Sequence, residues 1–248
     1  MTSTSAEQPA ALTTVEAATL ASSKANTQDA SGRQPAPSTA SASELASTKI
    51  SLLAALRRFP DFPIPGINFI DILPIFQDPA THNALLRALE LQVLEAGFKP
   101  DVVVGLDARG FLFGPSLALR LDASFVPVRK QGKLPGPCVT ATYEKEYGQD
   151  FFQMQKGAIT PGQKVLVVDD IIATGMPEKR QCWAEISALL TIIADSFESG
   201  GSAAAAGSLV KQLGGSLVGY LFMLEIPFLK GRDKLDGVST VTLLETDD

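Results

Sequence analysis

The chain has 248 residues, 45% of them hydrophobic, with a formal net charge of −6 and a pI near 4.9. That length and apolar content suffice for one or two domains with a buried core. No apolar run reaches the roughly 18 residues a membrane helix needs, and an acidic surface argues against general nucleic-acid binding. Cys138 and Cys182 lie far apart, and neither has a second Cys or a His at metal-ligand spacing. This excludes a disulfide scaffold and fits a reducing compartment. His82 is the only histidine, so a Ser-His-Asp or Cys-His centre has one candidate base. A lone His on a helix reads as a surface or cap residue.

Residues 1–48 are rich in Ser, Thr, Ala and Gln and contain no aromatic residue. Such a segment buries too little apolar area to offset its ordering entropy, so a disordered tail is expected. It opens MTSTSAEQ, without the basic and apolar regions of a secretory signal. The domain proper is expected over 49–248. "TKISLLAALRRF" reads as a short amphipathic helix from near Thr48. "PDFPIPGINFIDILPIF" has three prolines in six residues, which forbids regular structure and implies a shaped loop. "DPATHNALLRALELQVLEAGF" reads as a helix with Asp78 as cap, Gly97 as stop and a stripe of Leu85, Leu89 and Val93 flanked by Leu86 and Leu94.

Beyond Gly97 the pattern changes. "DVVVGLDARGFLFGPSLALRL" is a short apolar run, a polar turn and an apolar helix. "SFVPVRK" is a strand. "CVTATYEKEYGQDFFQMQ" is a hairpin around Gly148. "QKVLVVDD" is an apolar strand ending in two acids, "GSAAAAGSLVKQLGG" a helix, and "SLVGYLFMLE" and "STVTLLE" two further strands. Continuous Val/Ile/Leu strands alternating with helices predict an α/β fold with a mainly parallel sheet covered on both faces. Ligands in such sheets bind at the carboxyl ends of the strands. The polar turns after Val104 and Val168 both fall there.

In "VLVVDDIIATG…GS" the acids Asp169 and Asp170 precede Thr174, Gly175, Gly201 and Ser202, which lead into a helix. A Gly-rich turn at a helix N-terminus offers N–H groups and a positive dipole end to a phosphate. Carboxylates accept hydrogen bonds from vicinal hydroxyls, so a sugar phosphate satisfies both demands. A capped helix after a polar turn is the plainer alternative. In "GLDARGF" Gly105 permits unusual backbone angles, and Arg109 stands where a second anion could bind bidentately. "VRKQGKLPG" puts Arg129, Lys130 and Lys133 within five residues. It is either a solvated basic loop or a third anion contact.

Together "FPDFPIPGINFIDILPIF", "GLDARGFLFGPSLA", "VRKQGKLPG", "EYG" and "VLVVDDIIATG…GS" resemble the type I phosphoribosyltransferases, their adenine-specific members in particular. The resemblance runs from about Leu56 to Leu244; Ile70 stands where members often carry a charged residue. It implies that family's fold, with an N-terminal hood over the site. It also implies transfer of ribose 5-phosphate from phosphoribosyl pyrophosphate to N9 of adenine, giving AMP and pyrophosphate. Mg²⁺ is then held mainly by the sugar diphosphate, with no direct side-chain ligand expected. By the same resemblance Asp169 and Asp170 meet the ribose hydroxyls and reactive centre. Ala173, Thr174, Gly175, Gly201 and Ser202 cradle the 5-phosphate. Asp107, Ala108 and Arg109 form the pyrophosphate loop, where members often have a cis peptide. Arg129, Lys130 and Lys133 neutralise the leaving pyrophosphate, partly across a homodimer. Phe69 stacks on adenine, backbone near Asn68 reads its edge, and Glu146 handles the purine proton beside Tyr147. The enzyme would be cytoplasmic and need neither nucleic acid nor membrane.

The family pattern joins ATG directly to GS, but here residues 176–200 intervene. The segment holds Trp183, the only tryptophan, and Cys182. Back-translation permits a GTATG donor at Gly175-Met176, a branch-point-like GCTGAC at Ala194-Asp195 and a CAG acceptor at Ser199-Gly200. The segment therefore reads as a retained intron, with a real inserted loop as the alternative. Two other functions remain open: an impaired product of the literal sequence, and a regulator that senses phosphoribosyl pyrophosphate.

Overall fold

The computed structural model describes residues 39–62, 68–145, 148–172, 199–226 and 231–246. In chain order these form α1 (Thr39–Ala55), β1 (Arg57–Pro60), β2 (Asn68–Asp71), α2 (Leu73–Gln77), α3 (Pro79–Glu95), β3 (Val102–Leu106), α4 (Gly110–Arg120), β4 (Ser124–Lys130), β5 (Cys138–Lys145), β6 (Gly148–Gln155), β7 (Lys164–Ile172), α5 (Ser199–Gln212), β8 (Ser216–Glu225), a 3-10 turn (Gly231–Lys234) and β9 (Thr240–Glu245). Seven strands make one sheet in the order β5-β6-β4-β3-β7-β8-β9, and β1 pairs with β2 as a separate ribbon. β4, β3, β7, β8 and β9 run parallel; the β5–β6 hairpin joins β4 antiparallel.

The unbroken apolar strands explain the layering. Successive strand side chains point to opposite faces, so a strand apolar at every position needs cover on both sides. Val103, Leu166, Val168, Leu221 and Met223 share one core with Leu52 of α1, Ile75 of α2, Leu85 and Leu89 of α3 and Phe113 of α4. Val102, Val104, Val165, Val167, Tyr220 and Phe222 share the other with Ala203, Ala206 and Leu209 of α5. Each buried Leu, Val or Phe contributes about 1.5–3 kcal/mol, so these two layers dominate stability. The alanines of α5 let the helix lie close to the sheet: a Cβ at Gly207 would run into the Tyr220 hydroxyl.

Four sequence expectations need correction. α1 begins at Thr39, not near Thr48; Leu45 packs in the core and Glu44 bonds Arg87 of α3 at 3.1 Å, so tertiary contacts extend a helix that composition assigned to a tail. The proline-rich stretch is not wholly irregular. Its flanks pair as β1 and β2, with Arg57 donating to Asp71 at 2.8 Å, and the proline Pro60 sits at a ribbon end, where no ladder N–H is needed. Leu94 is 48% exposed, because at about 100° per residue it stands about 180° round the helix from Leu85. Finally, β7 does not end at Asp169-Asp170 but continues to Ile172, paired with Glu225 of β8. The expected cap of α3 is present: the Asp78 carboxylate accepts from Thr81 N at 2.8 Å and Thr81 Oγ1 at 2.6 Å. These bonds hold the Asp78 carboxyl below its usual range. Gly97 ends the helix at φ +72°.

Candidate active site at the strand ends

The parallel register sets Leu106 of β3 beside Val128 of β4 and Gly105 beside Val168 of β7. The next residues of each strand therefore emerge together at one edge. They are Asp107, Arg129 and the pair Asp169-Asp170.

Three glycines bring the β3–α4 turn down onto that edge. Gly105 was expected to supply an unusual backbone angle, but it is an ordinary strand residue. Its use is steric, since a Cβ there would lie 2.7 Å from the Phe125 ring. A Cβ on Gly114 would meet the same ring at 2.7 Å, and one on Gly110 would reach Val168 O at 3.0 Å. The start of α4 is thus held against β7. The Asp107–Ala108 peptide is cis, as the family resemblance implied. The turn is closed by Phe111 N donating to Ala108 O at 3.1 Å and Leu112 N donating to Arg109 O at 3.0 Å.

Packed this way, Arg109 reaches the acids, its Nε 2.8 Å from Asp170 Oδ2. The contact is ionic rather than a directed hydrogen bond, because no donor is aligned on that oxygen among the described residues. Asp170 is 1% exposed and Asp169 8%. Asp169 Oδ1 accepts from Asp170 N at 2.9 Å, so adjacent carboxylates on opposite sides of the strand are locked in one arrangement. Burial, and then the Asp170 charge, push the Asp169 carboxyl well above the usual range. Burial also raises Asp170, against the opposing pull of Arg109.

Folded Asp169 therefore holds its proton more tightly than the unfolded chain does, and its stability contribution falls as pH rises from 3.8 towards the raised value. Asp169→Asn removes this penalty. The variant should gain about 0.5–2 kcal/mol at neutral pH, with the gain vanishing as pH falls towards 4, in the acid range of an ordinary Asp. Urea unfolding at pH 7 and pH 4.5 measures it; a variant no more stable at either pH would refute the assignment.

The basic cluster is ordered by Asp107 and by three side chains with no signal in the sequence, Asp150, Gln153 and Thr140. Arg129 Nε donates to Asp107 Oδ2 at 2.7 Å and its Nη1 to Lys133 O at 3.2 Å. Lys130 Nζ lies 3.6 Å from Asp150 Oδ2. Gln153 Oε1 accepts from Gly132 N at 3.0 Å, and Gln153 Nε2 donates to Thr140 Oγ1 at 3.1 Å, tying the turn to the hairpin. Such contacts join residues far apart in the chain, and no local pattern announces them.

The other expected site residues fall as follows. Gly201 and Ser202 lie inside the first turns of α5, not before it. Asn68 and Phe69 are on β2; Phe69 is half-buried and meets Phe62 edge-on, with centroids 5.3 Å apart. Ile70, next on the strand, is buried. Ala173, Thr174, Gly175, Glu146 and Tyr147 lie outside the described residues, as does the segment 176–198. His82 packs edge-on against Phe76 near the start of α3, a structural placement. Cys138 is a free thiol. Among the described residues no group of three or more His, Cys, Asp or Glu could hold a metal, and no helix is long and apolar enough to cross a membrane.

A mainly parallel sheet with paired acids near the carboxyl end of one strand and a cis turn at the end of its neighbour defines a type I phosphoribosyltransferase fold. Residues 76–176 match the phosphoribosyl transferase domain. The adenine phosphoribosyltransferase of Debaryomyces hansenii is 51% identical over 193 residues, covering 78% of this chain and 89% of that protein. Adenine phosphoribosyltransferase 1 of Saccharomyces cerevisiae is 50% identical over 194 residues, covering 77% and 90%. A crystal structure of the Saccharomyces cerevisiae enzyme, complexed with adenine and an imino-altritol bisphosphate, superposes with a TM-score of 0.67 at 49% identity, covering 80% of this chain and 99% of that one. The chain belongs to the adenine phosphoribosyltransferase family.

Proposed function

We propose that the chain transfers ribose 5-phosphate from phosphoribosyl pyrophosphate to N9 of adenine, releasing AMP and pyrophosphate in purine salvage. The observation that carries the reading is the convergence of Asp169-Asp170, Arg109 and Arg129 at the carboxyl ends of β3, β4 and β7. In this reading Asp169 and Asp170 accept from the ribose hydroxyls. Gly201 and Ser202, with Ala173, Thr174 and Gly175, hold the 5-phosphate at the positive end of α5. Asp107, Ala108 and Arg109 hold the pyrophosphate, and Arg129, Lys130 and Lys133 neutralise its charge as it leaves. Glu146 moves the purine proton beside Tyr147, and the β5–β6 hairpin excludes water.

Mg²⁺ fits as a passenger of the sugar diphosphate. Magnesium keeps several waters and takes one or two carboxylates plus substrate phosphates, and Asp170 is already engaged by Arg109. When bound, it would shield the diphosphate charge. A homodimer is supported by the outer face of α4, where Leu119 is 82% and Leu112 39% exposed. Exposed apolar area on a rigid helix favours burial against a second copy. The cytoplasm is where we place this salvage step, in keeping with a reading without disulfides.

Phe69 stacks on adenine, with the backbone near Asn68 reading the base edge. Phe69→Ala should therefore raise the adenine KM by a factor equivalent to about 1–3 kcal/mol, the scale of one stacked base, with the KM for the sugar diphosphate unchanged. Assaying AMP formation from adenine, phosphoribosyl pyrophosphate and Mg²⁺ tests both the reaction and the stacking. Equal turnover of guanine or hypoxanthine would defeat the base assignment. A regulator reading predicts binding of the sugar diphosphate without AMP. We further propose that 176–200 is a retained intron; the domain match stops at residue 176.

A further inference from the structure

Between the carboxyl end of β8 and the first residues of β9 lies a polar cluster that the proposed reaction does not use. Arg232 Nε donates to Glu225 Oε1 at 2.7 Å and its Nη2 to Glu225 Oε2 at 2.5 Å. Thr242 Oγ1 donates to Glu225 Oε2 at 3.0 Å, Arg232 Nη1 to Thr240 O at 2.7 Å, and Arg232 Nη2 lies 3.1 Å from Thr242 Oγ1. A two-point guanidinium–carboxylate pair is directional as well as strong. The Glu225 side chain is 10% exposed, and the Arg232 bonds hold its carboxyl below the usual range.

The position of this cluster is what matters. Glu225 is the ladder partner of Ile172, the last residue of β7, and Ile226 N donates to Ile172 O at 3.2 Å. Arg232 belongs to the 3-10 turn, which packs on α5. Leu235, next to that turn, is buried in the same core as Ala203 and Ala206 of α5. The cluster thus ties the end of β7, through Glu225, to the turn that packs on α5, through Arg232. These are the two flanks of the proposed phosphate site.

We propose that Arg232, Glu225 and Thr242 are positioning residues that set the spacing between the end of β7 and the start of α5, and through it the affinity for the sugar's 5-phosphate. The proposal rests on the reading that Gly201 and Ser202 hold that phosphate. A phosphate cradle depends on N–H groups converging on one anion, and about 1 Å of misplacement in a positioned site costs up to roughly 10²-fold. None of the three residues touches substrate in this scheme.

The test compares Arg232→Met, Arg232→Lys, Glu225→Gln and Thr242→Val in the full chain and in a chain lacking 176–200. The readouts are calorimetric Kd for ribose 5-phosphate and phosphoribosyl pyrophosphate, steady-state kcat and both KM values, and Tm. Arg232→Met should weaken both phosphate ligands about tenfold, part of the loss that 1 Å of misplacement brings, while the adenine KM holds. Arg232→Lys should recover part of the loss. Thr242→Val, which removes one contact and leaves the ion pair, should fall between wild type and Arg232→Met even if the latter folds poorly. A lower Tm with unchanged phosphate affinity would make the cluster a structural staple and overturn the proposal. Wild-type protein that binds ribose 5-phosphate but makes no AMP would overturn the proposed reaction and leave the cluster to be judged by Kd. Binding of neither phosphate ligand would overturn both.

Discussion

Replacing Arg109 by Met should destabilise the protein by about 3–5 kcal/mol at pH 7, the cost of leaving a buried charge without its partner. Asp170 is 1% exposed, and Arg109 Nε at 2.8 Å is the cation set against it. The effect depends on pH in a definite direction. Burial already raises the Asp170 carboxyl, and Arg109 opposes that rise. Without the guanidinium the folded-state value climbs further above the unfolded one. The folded variant then binds a proton that the unfolded chain does not, and its stability falls as pH rises through that window. Lowering the pH should therefore shrink the deficit. Urea unfolding of wild type and variant at pH 7.5 and pH 5 measures this. A deficit that is the same at both pH values would mean that Arg109 acts through packing rather than charge. The variant should also lose pyrophosphate affinity, because the same side chain is proposed to serve both partners in turn.

Deleting residues 176–200 should tighten binding of phosphoribosyl pyrophosphate by on the order of 10²-fold, the cost of about 1 Å of misplacement in a positioned site. The deletion rejoins Gly175 to Gly201 and restores "ATGGSAAAAG". Loop closure over such a length adds little by itself, since the entropy grows only logarithmically; the loss lies in the covalent geometry that makes successive N–H groups converge. Calorimetry on both chains decides it. Equal affinities would show that the segment is a tolerated loop, and a dominant mature message that keeps these codons would sink the intron reading.

Local patterns were enough for much of this protein. The uniformly apolar strands dictated a two-sided parallel sheet, because each face of such a strand must be covered. Asp78 and Gly97 marked the ends of α3 through bonds and angles that depend only on their near neighbours. The motifs "GLDARG" and "VRKQGKLPG" marked strand ends where the candidate site lies, and "VVDD" marked its acids, although β7 runs on to Ile172. Other features were decided only by tertiary packing. The first ten residues of α1 have no apolar pattern of their own, and Leu45 and Glu44 order them by meeting α3 and the core. Gly105 looked like a turn residue, yet its role, like that of Gly114, is to make room for the Phe125 ring, which arrives from β4. The partners of Arg109, Arg129, Lys130 and Arg232 stand between 7 and 61 positions away in the chain. A charge carries no signal in sequence of which opposite charge it will meet. That is fixed by strand order and register, and these arise from how the whole sheet packs.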